Sequence, residues 1–489
     1  MNRINQFNTP EEVTEVINSY IESFESSERR KKMKYGEDYY RSENTEIMNR
    51  KKLIYMENDE GEPIEMEDPY KANNKLPSGF FKILVDQKIS YLLGNNLTLE
   101  TEDDIEDDLP RDFQQKTKKA AKEASKKAIG WVQVYIDDDG NFSVKQIPAE
   151  QVIPVYKPHN NDELEMVIRY YQVTVLNEDN EAVKITRVEV WDEEEVTYYE
   201  ESTEDSLYHL IGPERMKQIH GREFPNPKKH FYKDVRYGDR LAETEGQHWG
   251  RVPFVPLYNN DEEDYDLQPV KRFIDAYDIV NSDFVNNLED FQDIYWVLKG
   301  YGGQNLNEFL QEVKRYKALK TSEDGEARAE TIDIPHEARK EAKRGLRRDI
   351  FRFGMGADPD QVGDGSVTNV VIKSRYANLD LKADQFETQV KEFIYQIVEL
   401  LNAYRETQGE NPVELEGINL DRSMIMNEKE MLEANKGQHG HVSEETRLSN
   451  HPWIDNPEAE KEKMREEIEN RPDLDAIESD AEPVENDED

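Results

Sequence analysis

Three aspartates in the run Asp358-Pro359-Asp360-Gln361-Val362-Gly363-Asp364 have nearly the spacing of a calcium loop, in which oxygens at alternate positions close around a hard cation. Val362 stands where the third ligand belongs, so the run reads as a solvated loop. His439 and His441 could supply two metal ligands, but no further ligand lies near them in the sequence, and a linker is the better reading. Gly354-x-Gly356 resembles part of a dinucleotide fingerprint, yet it follows a helical pattern and lacks the third glycine at the required spacing. There is no GxxxxGK[ST] phosphate loop, no HExxH and no GxSxG. The absence of cysteine excludes disulfides, thiolate catalysis and cysteine-ligated metals. Nothing here gives positive support to an enzyme, and no cofactor or metal is expected.

One electropositive cluster stands out. Arg339, Lys340, Lys343, Arg344, Arg347 and Arg348 fall within a single helical pattern. Such cations pair either with acidic side chains of neighbouring helices or adjoining copies of the chain, or with nucleic-acid phosphates. The glycine-framed run after them is longer than the 2–8 or so residues that usually join two helices, as a moving element would require.

The chain that must position these groups has 489 residues, 63 basic against 107 acidic, and a net charge of −44. Its length allows roughly three or four domains. Hydrophobic residues make up 36% and charged residues 35%, so much of the surface is solvated or paired, while 10% aromatics can still fill a core. No basic-then-apolar leader and no run near 18 apolar residues is present, so neither a standard secretion signal nor a membrane span is expected. The acidity argues against ordinary nucleic-acid binding, but it is also what a surface facing DNA without gripping it would need.

Thr9-Pro10 marks a helix start, with Val13, Ile17, Tyr20 and Ile21 at helical spacing. Residues 80–93 form the most apolar helical pattern of the first half, with Gly94 at the C-cap position. From Trp131 to Tyr258 the pattern becomes strands: a hairpin around Asp137-Asp138-Asp139-Gly140, then Val167–Leu176, Val183–Trp191, Val196–Tyr199 and an extended Arg251–Tyr258. A helix follows from Pro269, with Phe273, Ile274, Tyr277, Ile279, Val280, Phe284, Leu288 and Phe291 at near-helical spacing. An insert comes next: a strand at 294–298, a glycine turn, a helix near 306–314 and a strand near Ala318. The basic helix spans 337–353, and a long helix about 369–404. Short helices are expected near 428–435 and 457–469, with Ser443 as an N-cap between them. The tail from Arg471 is acidic and expected to be disordered. The fold class is α+β.

This order of elements resembles the portal (head-to-tail connector) proteins of tailed double-stranded DNA bacteriophages, of the siphophage type. The resemblance is carried by Tyr39-Tyr40-Arg41-Ser42 with Ile47 and Arg50, by Asn73-Asn74-Lys75 leading into Leu84-Val85-Asp86-Gln87-Lys88 and Tyr91-Leu92-Leu93-Gly94, and by Leu379-Asp380-Leu381-Lys382-Ala383. Ser42 and Asn96 depart from the pattern, where glycine and proline are common. The resemblance implies a ring of about twelve copies at a capsid vertex, through which DNA enters during packaging and leaves at ejection. It divides the chain into a wing (1–266), stem helix 1 (267–293), clip (294–334), stem helix 2 (335–354), tunnel loop (355–368), a long kinked helix running back into the wing (369–404), a wing return (405–425), a crown (426–470) and the tail (471–489).

Further expectations follow from the resemblance. Asp358, Asp360 and Asp364 would stand near the tunnel constriction, with Val362 at the loop's tip and Lys373 and Arg375 making transient phosphate contacts. Arg339, Lys343, Arg344 and Arg347 would pair with Glu289, Asp290 and Asp293 of an adjoining copy. Tyr295, Trp296, Tyr301, Gln304 and Asn305 would belong to the clip, facing the terminase large subunit and later the head–tail adaptor. Major capsid and scaffolding proteins would be further partners, with no membrane, in the virion and in the host cytoplasm during assembly. The competing readings are another minor head protein without a DNA channel and, from a different class, an acidic DNA-mimicking or DNA-metabolising protein.

Overall fold

Thr9 begins the first helix as the sequence suggests: its side chain accepts the Glu12 amide at 3.3 Å and Pro10 occupies the first helical position of Pro10–Glu25. The structure is a computed structural model. It describes residues 9–57, 63–68, 71–101, 105, 108–176, 181–221, 223–237, 240–290, 295–299, 326–330, 336–362, 369–423, 428–438, 441–449, 451, 453–454 and 456–469. The chain forms two compact units, Met1–Asp358 with Asn378–Ser423, and Pro359–Ala377 with Met424–Asp489.

In the first unit Val13, Ile17 and Phe24 of the first helix are buried in one core with Val152, Val167, Ile168, Val188, Val190 and Val196 of the sheet. That sheet is six-stranded and antiparallel: Tyr208–Leu210, Glu195–Glu201, Ala182–Trp191, Asn160–Leu176 and Val152–Lys157 lie side by side, with Lys228–Lys229 added to Glu195–Glu201. A second sheet orders Phe254–Tyr258, Ile129–Ile136 and Phe142–Ile147. The turn between its last two strands follows the expected chemistry. Asp137 Oδ1 accepts the amides of Asp139 and Asn141, and Gly140 takes the left-handed φ of 87°.

Helix Phe113–Lys127 lies close under this sheet. A side chain at Gly130 would run into the Ala120 carbonyl, and one at Gly36 of helix Glu28–Tyr40 into the Lys126 carbonyl, so both glycines are there for close approach. Helix Phe80–Leu93 buries Phe81, Leu84, Val85, Ile89, Leu92 and Leu93, as an all-round apolar pattern requires. Gly94 does cap it, but in right-handed helical geometry; its small size matters because a Cβ would strike the Ser90 carbonyl.

Helix Lys271–Asp290 starts two residues after Pro269, and the basic helix is His336–Phe353. The two run antiparallel: Phe273 stacks on Phe353 at 5.1 Å, Lys343 Nζ reaches Asn281 Oδ1 at 2.6 Å, and Phe284 meets His336 at 5.9 Å. Between them, Tyr295–Lys299 pairs with Glu326–Glu330. The partner strand is thus Glu326–Glu330, which has no β-branched or aromatic residue to announce it. The segments near 306–314 and 318 lie outside the described residues. A four-residue helix, Pro359–Val362, interrupts the run expected to be loop throughout, because Asp358-Pro359 is itself a helix start. The long helix Asn369–Gln408 is continuous over 40 residues and contains neither proline nor glycine. In the second unit, Ser443 Oγ accepts the Thr446 amide at 3.2 Å and caps helix Glu444–Ser449. Among the described residues, no helix is long and apolar enough to cross a membrane.

Candidate functional site

The face of helix Lys271–Asp290 that is most deeply buried is polar. Ile274, Asp278, Ser282 and Asn286 follow at intervals of four and are all but inaccessible to solvent. The last three hold an extended segment through its main chain. Ser78 N donates to Asp278 Oδ1 at 2.9 Å, Leu76 N to Ser282 Oγ at 3.0 Å, and Asn74 N to Asn286 Oδ1 at 2.6 Å. Alternate residues of an extended chain rise by about 6.6–6.8 Å and four residues of a helix by about 6 Å, so the two repeats stay nearly in step over three rungs. Asn44 Nδ2 adds a bond to Asp278 at 2.5 Å, and Arg50 clasps Asp283 through both nitrogens at 2.9 and 3.0 Å. Tyr39 donates a short hydrogen bond to Asp275. Burial pushes the Asp278 carboxyl above its ordinary value, against the bonds from Ser78 and Asn44.

A second polar group lies where the apolar helix, the turn before Lys271 and the long helix meet. Lys88 Nζ, fully enclosed, lies 3.1 Å from Asp266 Oδ2 and 2.5 Å from Asn259 Oδ1, with the Phe386 ring centre 3.8 Å away. Lys382 Nζ is 3.2 Å from Asp266 Oδ1 and donates to the Gly354 carbonyl at 3.0 Å. Burial drives the Lys88 amine down to about 8 despite its carboxylate neighbour. Burial alone would raise Asp266, but Lys382 and Lys88 outweigh it and hold the carboxyl well below the usual range. Nearby, Arg422 gathers Asp380, Asp384 and Glu387 of the long helix and lies over the Tyr91 ring, whose hydroxyl also donates to Asp380 at 2.8 Å.

Among the residues singled out from sequence, several are engaged within the chain. Arg347 Nη2 bonds the largely covered Asp358 carboxylate at 2.6 Å. Lys343 is held by Asn281, and exposed Glu289 accepts from Asn74 Nδ2 at 2.6 Å. Arg344 is exposed, with only Glu341 of its own helix near it among the described residues, at 3.9 Å. Arg339 is half-buried, and its Nη1 is enclosed without a hydrogen-bond acceptor among the described residues. Asp290 ends its helix. Asp360 and Val362 belong to the four-residue helix, and Lys373 and Arg375 lie in the first turns of the long helix, Lys373 exposed and Arg375 half-buried. Tyr295 and Trp296 open the strand Tyr295–Lys299. Asp293, Tyr301, Gln304, Asn305, Asp364 and His439 lie outside the described residues. No group of three or more His, Asp or Glu among the described residues could hold a metal ion.

Sequence reasoning passed over Asp278, Ser282, Asn286, Asp266 and Arg422, and met Lys88 only as part of a family motif. The first three did leave a signal, a polar stripe at intervals of four within an otherwise apolar pattern. Asp266 left none among 107 acidic residues.

The family model "Phage portal protein, SPP1 Gp6-like" matches residues 23–472. The portal protein of Bacillus phage SPP1 is 27% identical over 447 residues, covering 88% of this chain and 83% of its own. The portal protein of Clostridium phage phiCD119 is 29% identical over 457 residues, covering 88% and 92%. A chain from "Neck of native GTA particle computed with C12 symmetry" is 10% identical, covers 76% of this chain and 89% of its own, and has a TM-score of 0.35, too low to bear on the fold. The match over 23–472 takes in the helix pair, the two larger sheets and the segment between the basic and long helices, and the chain belongs to the SPP1 Gp6-like phage portal protein family.

Proposed function

We propose that this phage portal protein, a component of the bacteriophage virion, closes into a ring of about twelve copies around a hole that carries double-stranded DNA in during packaging and out at ejection. A head-to-tail contact between identical chains closes when its rotation divides the circle. The observation that carries the reading is the antiparallel helix pair, Lys271–Asp290 and His336–Phe353, with an antiparallel strand pair, Tyr295–Lys299 and Glu326–Glu330, between them in the chain and the 355–368 segment following the second helix, in a chain of this family. In this reading the pair is the stem (267–293 and 335–354) and the insert 294–334 the clip, where Tyr295, Trp296, Tyr301, Gln304 and Asn305 meet the terminase large subunit and then the head–tail adaptor. Residues 1–266, 369–404 and 405–425 form the wing, and 426–470 the crown. Capsid and scaffolding proteins surround the ring, and assembly takes place in the host cytoplasm.

Segment 355–368 lines the narrowest part of the hole. With −44 per chain, about twelve copies carry roughly −500 of formal charge, felt by DNA phosphates within about 8–10 Å. A wall of that sign lets a polyanion slide, whereas a basic wall would hold it through counterion release. Asp360 and Asp364 supply charge at the constriction and Val362 its tip. Asp358 stands beside them with its charge balanced by Arg347. Lys373 and Arg375 make brief phosphate contacts. Arg339 and Arg344 reach toward Asp290 and Asp293 of the next copy; Lys343, Arg347 and Glu289, which have partners within the chain, play a smaller part. The test is an image reconstruction of the purified protein. A ring with residues 357–366 at its narrowest point supports the reading, and a ring with them on the outer rim refutes it.

A further inference from the structure

Both flanks of the 355–368 segment lead to one enclosed carboxylate. Asp266 Oδ1 lies 3.2 Å from Lys382 Nζ, and the same ammonium donates to the carbonyl of Gly354, the first residue after the basic helix, at 3.0 Å. A single side chain on the long helix thus ties the end of one helix to a point thirteen residues into the next. The near flank has further ties: Gln87 Nε2 donates to the Ala357 carbonyl at 2.7 Å, Arg347 holds Asp358 at 2.6 Å, and a side chain at Gly356 would strike Leu84.

The stoichiometry is informative. Two ammonium groups, Lys88 enclosed and Lys382 partly buried, share one buried carboxylate, which is costlier than a one-to-one pair. Lys88 alone would balance Asp266, with Asn259 and the Phe386 ring face completing its surroundings. The second lysine adds a surplus charge, and what it adds besides is the reach to Gly354.

We propose that Asp266, acting through Lys382, is a positioning residue that fixes the two anchored flanks of the 355–368 segment, Gly354 at the end of the basic helix and Lys382 on the long helix. The proposal deepens the channel reading and rests on it for its functional meaning, but the anchoring itself can be measured without it. Hydrogen–deuterium exchange on the full-length protein provides the test. Lys382→Met leaves a balanced Lys88–Asp266 pair, so the variant should fold. Amides of 354–358 and 378–386 should then exchange at least about tenfold faster, with the β-sheets unchanged. Lys382→Arg, which keeps the charge and can still reach both oxygens, should restore most of the protection. Lys88→Met should leave these two flanks as in the parent protein.

Unchanged exchange at the flanks in Lys382→Met would overturn the proposal. So would equal loosening by Lys88→Met, since that would make the group a stability element only. Exchange is read whether or not rings form. Failure of the channel reading shows instead as parent protein without rings, and failure of the anchor as flat exchange in protein that does form them.

Discussion

Replacing Asn286 by alanine removes the rung that binds Asn74 most fully. Its Oδ1 accepts the Asn74 amide at 2.6 Å while its Nδ2 donates to the Asn74 carbonyl at 3.3 Å, the pair of bonds one strand would make to another. Asn286 is 1% exposed, so water cannot readily take its place. Leaving a buried amide unpaired costs about 1–3 kcal/mol, and the weaker carbonyl bond adds a fraction of that. The expected loss is about 2–3 kcal/mol in thermal or denaturant unfolding, with faster exchange at the Asn74 and Leu76 amides. Ser282→Ala, which removes a single bond at 3.0 Å, should cost about 1–2 kcal/mol. Because both rungs hold one segment, the double variant should cost less than the two singles together by at least about 0.5 kcal/mol. Strict additivity, or an Asn286→Ala loss below about 0.5 kcal/mol, would refute the ladder as the element that docks residues 74–78.

The remaining predictions concern pH, packing and assembly. His230, buried against Trp191 and accepting the Trp249 amide at Nδ1, is pushed down to about 3 by burial. The unfolded chain therefore binds its proton first. The stability from this residue is complete above pH 6.5 and is lost as pH falls toward 3, by about 2 kcal/mol at pH 5. His230→Asn should flatten that slope in a series of melting curves. Half-buried His220, lowered to about 4 mainly by burial, should act in the same direction. Gly130→Ala should lower stability by at least about 2 kcal/mol, since its Cβ meets the Ala120 carbonyl rather than a movable side chain. Arg344→Glu should weaken ring assembly in sedimentation while leaving the unfolding free energy of the isolated chain within about 0.5 kcal/mol of the parent, as its partner among the described residues lies 3.9 Å away on the same exposed face. Normal rings with poor packaging would instead point to DNA contact at Arg344.

Much of the architecture was legible because local signals agreed with it. The Thr9-Pro10 start, the Asp137–Gly140 turn and the Ser443 cap each satisfy main-chain groups within a few residues, and such chemistry is written in the sequence. The strand Glu326–Glu330 was not, because its only strand credential is the partner Tyr295–Lys299. The motif residues that carried the family resemblance prove to be docking residues: Tyr39, Arg50 and Asn74 all bond to helix Lys271–Asp290. Their partners Asp275, Asp283 and Asn286 lie more than 200 residues away, a distance over which spacing says nothing. The stripe Asp278-Ser282-Asn286 was hidden by reading the helix for apolar periodicity alone. For the charged group around Asp266, only the folded chain brings Lys88, Asn259 and Lys382 to one carboxylate.

The basic helix carries a similar lesson. The family resemblance implies that four of its cations face an adjoining copy together, whereas the fold already engages Lys343 and Arg347 through Asn281 and Asp358 of the same chain. Helical spacing gives the face of a residue but not whether a later loop returns to meet it.

The mass of the purified particle in solution bears most directly on whether identical chains surround a hole. With 57.4 kDa per chain, closure of about twelve copies gives a single species near 690 kDa with a central opening in projection. A species that stays at the mass of one chain at every concentration and salt would contradict the account.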